Sequence, residues 1–227
     1  MITINNKELR LFGISKVLQF LISPSNYNNQ GSYWNAGAIR PVKGIKTETY
    51  RKLSTKFLFK SNDRETILKN ISRFIEEAKD CIFKRDNLYY EVEISDSAEP
   101  EIVNMTTYIL EVEFSVVDVY ENEKSVTTNT NTIINIESPK PCYANLELSC
   151  QTNVTSCVVT INDTEITVKN INGNEAIYIG SGKITAGGKS KIDDIDILEF
   201  PILRPGSNTI KVSREDITLT VKYNERW

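Results

Sequence analysis

Apolar and polar residues alternate one for one along most of this chain, and that period fits only strands with one buried and one wet face. Tyr90, Val92 and Ile94 alternate with Glu91 and Glu93. Leu110, Val112, Phe114 and Val116 alternate with Glu111, Glu113 and Ser115. Ile217, Leu219, Val221 and Tyr223 alternate with Thr218, Thr220 and Lys222. Val158 to Ile161 and Ile166 to Val168, parted by Asn162-Asp163, read as a hairpin around a polar turn. A helical period occurs at Asp63 to Lys79, where Ile67, Leu68, Ile71, Phe74, Ile75 and Ala78 make one apolar stripe. Asn62 is placed to cap its first turn, with Glu65 three residues on. The expected fold is mainly β with one packed helix, of sandwich architecture.

A shift in composition divides the chain. Glu121 to Asn135 is polar and rich in Thr and Asn, and Pro139 and Pro141 follow. We expect an N-terminal domain over 1–121 carrying the helix, a linker or edge strand over 122–138, and a second, nearly all-β domain over 139–227.

Several kinds of chemistry are disfavoured. The chain has no histidine, which removes Ser-His-Asp and Cys-His catalysis. Its net charge of −3 provides no bulk basic field for nucleic acid. Cys81, Cys142, Cys150 and Cys157 lack zinc-site spacing and read as reduced, partly buried thiols. No signal peptide is visible. Ile14 to Ile22, the longest mostly apolar stretch, is far short of the ~20 residues of a membrane span. Synthesis and folding in a cytoplasm are expected, with no membrane partner, no cofactor and no metal.

Local motifs point the same way. Gly182 to Ser190 fails the phosphate-loop spacing by one residue and reads as a loop joining strands. Asp193, Asp194, Asp196 and Glu199 read as a solvated strand face. The segment from Ser23 to Pro41 departs from the strand pattern, with Tyr27, Tyr33, Trp34 and Arg40 among small polar residues. Aromatics and arginine are enriched in interface cores, so these four are candidates for an arm packed on a neighbouring subunit. The alternative is a surface loop.

The most specific stretch closes the chain. Phe200-Pro201-Ile202-Leu203-Arg204-Pro205-Gly206-Ser207-Asn208-Thr209-Ile210 reads as a strand, a tight Pro-Gly turn fixed by Asn208, and a second strand. A last strand follows and ends in Tyr223-Asn224-Glu225-Arg226-Trp227. This resembles the phage distal tail protein family, whose chains often end in P-x-L-x-P-G-x-N-x-I and then Y-x-x-R-W. Pro201, Leu203, Pro205, Gly206, Asn208, Ile210, Tyr223, Arg226 and Trp227 carry the resemblance. Ile2 to Asn5 leading into Leu9 to Ile14 is similar to the family's opening strand pair, and the helix followed by Leu88 to Val92 to its helix-then-strand unit. Asp118-Val119-Tyr120 stands where the family often has Asp-Pro-Tyr.

The resemblance implies an N-terminal ring domain assembled as a homo-hexamer and a C-terminal galectin-like β-sandwich. It implies a structural, non-enzymatic hub at the virion tail tip. That hub joins the tail tube protein to the tail-associated baseplate protein and is open to a receptor-binding protein. DNA would pass through the ring without sequence-specific contact. Two other readings stand beside it: a β-sandwich carbohydrate-binding or adhesin module, and a glycosidase, for which no carboxylate pair is evident in sequence.

Overall fold

A computed structural model describes residues 2–24, 26–30 and 45–227. The chain divides into two compact units, Met1–Val119 and Tyr120–Trp227.

In the N-terminal unit the elements run β1 (Ile2–Ile4), β2 (Lys7–Glu8), a 3-10 turn (Leu9–Phe12), β3 (Ile14–Ile22), β4 (Asn26–Gln30), β5 (Ile45–Thr49) and β6 (Arg51–Lys60). The helix α1 (Arg64–Ala78), β7 (Asp80–Arg85), β8 (Leu88–Ser97), β9 (Glu101–Asn104) and β10 (Thr107–Glu121) complete it. One sheet runs in the order β2-β1-β7-β8-β10-β6-β3, with β9 also paired to β10. This sheet curls. Phe20, on the last strand of the order, packs edge-on against Phe83 of β7 and Tyr90 of β8, at 5.8 and 5.2 Å between ring centroids. β4 and β5 pair with each other in a separate two-stranded sheet.

The helix lies over one side of the curl. Ile67, Ile71, Phe74 and Ala78 are buried, while Leu68 is exposed. Phe74 stands within 6.0 Å, centroid to centroid, of Phe12, Phe57 and Phe59. Edge-to-face contacts of this kind add to the area that the rings bury. The N-cap is Asp63, not Asn62. Its carboxylate accepts from the Thr66 N–H and the Thr66 hydroxyl, both at 2.8 Å. An anion that meets two donors in the first turn outcompetes the neighbouring amide.

Two further segments differ from their sequence readings. Leu9–Phe12 is a 3-10 turn, not a strand, because it buries Leu9 and Phe12 at a spacing of three. Gly13 ends it at φ +74°, donating its N–H to the Arg10 carbonyl at 3.0 Å. Asn26–Gln30, taken in sequence as part of a long loop, is a strand whose residues pair with Ile45–Thr49.

The C-terminal unit is a sandwich. Its strands are β11 (Lys124–Thr128), β12 (Thr132–Ile136), β13 (Cys142–Tyr143), β14 (Asn145–Cys150), β15 (Val154–Ile161), β16 (Thr164–Ile171) and β17 (Ile177–Gly180). β18 (Lys183–Ala186), β19 (Lys189–Ser190), β20 (Ile195–Asp196), β21 (Ile202–Leu203), β22 (Gly206–Val212) and β23 (Ile217–Tyr223) follow. One sheet is β11-β23-β14-β17-β18-β19, the other β12-β22-β15-β16-β20, and β13 pairs with β21. Leu146, Leu148, Leu219 and Val221 of the first sheet share one core with Val159, Ile166, Val168 and Ile210 of the second. The polar stretch read in sequence as a linker or edge strand supplies β11 to one sheet and β12 to the other. Asn162-Asp163 forms the expected turn, with Ile161 opposite Thr164. The glycine pairs around 182 and 187 also fall in turns that join strands.

Candidate assembly surfaces

The closing motif is an architectural device first. Gly206 takes φ +87°, which the Pro205-Gly206 turn requires and which a Cβ would strain. Asn208 is fully buried behind that turn. Its Nδ2 donates to the carbonyls of Arg204 at 2.7 Å, Gly206 at 3.0 Å and Ile134 at 3.4 Å. Its Oδ1 accepts from the Arg204 N–H and from Asn162 Nδ2, both at 2.8 Å. One amide thus ties the turn to β12 and to the β15–β16 hairpin. Pro201 and Leu203 are buried, and Leu203 pairs with Cys142 across the β13–β21 ribbon. Pro205 is exposed at the tip of the turn.

The last residues lock the unit to its first strand. Tyr223 is buried opposite Lys124. Glu225, also buried, accepts from Lys124 Nζ at 2.7 Å and from the N–H groups of Ser138 at 2.8 Å and Glu137 at 3.0 Å. Burial alone would raise the Glu225 carboxyl. The Lys124 ammonium and the two N–H donors outweigh it and hold the group below its usual range. The same contact raises Lys124, against the smaller effect of its own burial. Trp227 Nε1 donates to Glu121 Oε1 at 3.1 Å, and Arg226 forms backbone bridges with Tyr120 and Lys140. The Arg226 guanidinium lies 5.5 Å from the centre of the Tyr143 ring, which is exposed. The sequence reading missed Glu225, an acidic residue in a polar tail. The only signal for it was its place between Tyr223 and Arg226.

Of the four aromatic-arm residues, Tyr27 stands on β4, where its backbone pairs with Glu48. Tyr33, Trp34 and Arg40 lie outside the described residues.

Other surfaces carry apolar residues. In the N-terminal unit these include Leu18 and Leu21 on β3, and Ile102, Val103 and Met105 around the β9–β10 turn. In the C-terminal unit Leu198 is exposed, and Ile202, Phe200, Pro141 and Pro205 line a groove of about 420 Å³ together with Arg204 and Glu199.

The four cysteines are buried and unpaired. Burial pushes Cys81 up to about 12 and Cys142 to about 11, and raises Cys150 and Cys157. Thiols so shifted are poor nucleophiles. Asp194 and Asp196 pair with Lys191 and Lys169 rather than converging. Among the described residues no three His, Cys, Asp or Glu side chains cluster as metal ligands. No helix among them is long and apolar enough to cross a membrane.

Residues 137–227 match the family described as siphovirus-type tail component, C-terminal domain. No curated protein matches the chain in sequence. Among solved structures, the chain is similar to the Dit (gp 19.1) protein of phage SPP1, described as a paradigm of the hub adsorption apparatus in phages infecting Gram-positive bacteria. That similarity has a TM-score of 0.76 at 11% identity and covers 100% of this chain and 99% of the other. It is also similar to a chain of the phage P2 baseplate in its activated conformation with Ca, at a TM-score of 0.51 and 13% identity, over 92% of this chain and 90% of the other. These likenesses bear out the mainly β fold with one helix.

Proposed function

We propose that the whole chain is the distal hub subunit of a phage or prophage tail, a reading supported by the match of residues 137–227 to the siphovirus-type tail component C-terminal domain. The observation that carries the proposal is the extent of the fold likeness. It runs the full length of both chains, so the N-terminal unit has a counterpart in a hub protein as well as the C-terminal one. The role is structural, not catalytic.

In this reading six copies form a closed ring through their N-terminal units. The ring joins the tail tube protein above to a tail-associated baseplate protein below, and the C-terminal sandwiches face outward, open to a receptor-binding protein. Synthesis takes place in the host cytoplasm and the finished protein sits at the virion tail tip. Tyr27, Tyr33, Trp34 and Arg40 serve as an arm on the neighbouring subunit. The slight net negative charge suits a conduit that must not grip passing DNA phosphates.

Light scattering and negative-stain electron microscopy of the purified chain test this. A species of about six subunits with six-fold rings is expected. A stable monomer that binds a glycan through its C-terminal unit would instead support the adhesin reading.

A further inference from the structure

The N-terminal sheet curls but does not close. Arg85 Nη1 donates to the Phe20 carbonyl at 3.2 Å across the gap, yet among the described residues β3 pairs with β6 alone. Two surface grooves of about 440 and 330 Å³ lie along this seam, and both are walled by Ile2 and Val17. Leu18 and Leu21 extend the apolar wall and are exposed. Arg85 lines one groove; Glu8, Arg10 and Lys16 line the other, where Arg10 pairs with Glu8 and Lys16 is the remaining cation. A nine-residue strand at the end of a sheet, with exposed leucines beside an apolar groove, is a surface that natural proteins cover.

A second uncovered feature has the opposite charge. Past Ile94, whose N–H reaches the Lys79 carbonyl, no strand covers the side of β8 and β9 that faces away from β10 among the described residues. All four residues of β9 are exposed, as is Met105 at the turn, at 82%. Ile102, Val103 and Met105 therefore form an apolar fingertip, with Asp96, Glu99 and Glu101 at its base.

The fingertip extends strands from the middle of the sheet order, and the seam lies between the two ends of that order. Among the described residues of a single chain nothing covers either of them. We propose that the β9–β10 fingertip of one copy seats in the β1–β3 seam of the next, with its acidic base against Lys16. The occupant is a second copy because the two features match in apolar character and oppose in charge. Unlike patches that meet in this way make a heterologous contact, which propagates head to tail and closes when the rotation allows. The inference rests on the ring reading and assigns its contact.

Two variants of the full chain test it. Ile102→Asp with Met105→Asp spoils only the fingertip, and Leu18→Asp with Leu21→Asp spoils only the seam. All four side chains are exposed, so an unchanged thermal midpoint is expected of each variant. Each alone should be monomeric. Mixed one to one, they should give a dimer and nothing larger, because each retains the surface the other has lost. Should either variant fail to fold, Glu101→Lys and Lys16→Glu replace them: each should weaken assembly at least tenfold, and the chain carrying both should recover it. If the wild type assembles and the variants assemble equally, or the mixture stays monomeric, the seam contact is wrong and the ring reading stands. A wild type that is monomeric at every concentration overturns both.

Discussion

Asn208 and Arg204 exchange a reciprocal pair of hydrogen bonds: the Asn208 amide donates to the Arg204 carbonyl at 2.7 Å, and the Arg204 N–H donates back to Oδ1 at 2.8 Å. The pair closes the Pro205-Gly206 turn from behind while the same amide also holds Asn162. This is why the motif needs an asparagine. A side chain that only accepts or only donates satisfies half of the site.

Asn208→Asp keeps the acceptor and loses every donated bond, leaving buried carbonyls without a partner and adding a charge. A destabilisation of about 2–5 kcal/mol is expected. Asn208→Ala should cost a similar amount. Urea denaturation of the full chain reads both, and a change under about 0.5 kcal/mol would contradict the role assigned here.

Glu225 should make stability depend on acid pH. Its folded pKa lies below the ordinary value of 4.5. The folded state therefore prefers the carboxylate. The stabilisation is fully present above the unfolded pKa and is lost as pH falls through the folded one. Glu225→Gln should be less stable than wild type at pH 7 and approach it in acid. Lys124→Met removes the counter-charge but leaves the carboxylate buried, so the folded pKa of Glu225 should rise, the loss should be greatest near pH 7, and the difference from wild type should narrow as acid protonates Glu225. Because Lys124 is itself partly exposed, its loss should cost about 1–3 kcal/mol, less than for a fully buried pair. Thermal midpoints from pH 3 to 7 measure all three proteins.

Much of this was readable from the chain because alternation reports burial directly. β10 and β23 bury the residues that their pattern picks out, and β8 buries Tyr90 and Val92 while Ile94 is half-buried. Asn208 was legible as a turn-fixing amide. What sequence did not show was decided by tertiary neighbours. The helix cap is a local exception: Asn62 and Asp63 are both good caps, and the Thr66 N–H and hydroxyl together select Asp63. Glu225 looks like a solvated tail residue until Lys124, a hundred positions earlier, folds over it. The β1–β3 seam appears only when the sheet curls. Its one trace in sequence is that Leu18 and Leu21 break the alternation of β3.

Gly13 tests the link between the 3-10 turn and the helix. At φ +74° any side chain is strained, and an added Cβ would sit 2.4 Å from Asn70 Nδ2. Gly13→Ala should cost about 1–2 kcal/mol from the backbone alone. Asn70→Ala in the same chain should relieve the contact and recover only part of the loss. Full recovery would mean that backbone conformation contributes nothing.

The helix stripe gives an internal control. Phe74 is wholly buried among Phe12, Phe57 and Phe59, while Leu68, on the same helix, is exposed. Phe74→Ala leaves a cavity between helix and sheet and should cost about 3–5 kcal/mol. Leu68→Ala removes little buried area and replaces one good helix former with another, so its effect should stay within about 0.5 kcal/mol. Chemical denaturation of the two variants separates the outcomes. If Leu68→Ala destabilises folding as much as Phe74→Ala does, the helix packs on the sheet through a different face from the one described. If Leu68→Ala instead leaves folding intact but weakens assembly, the exposed leucine belongs to a contact between copies.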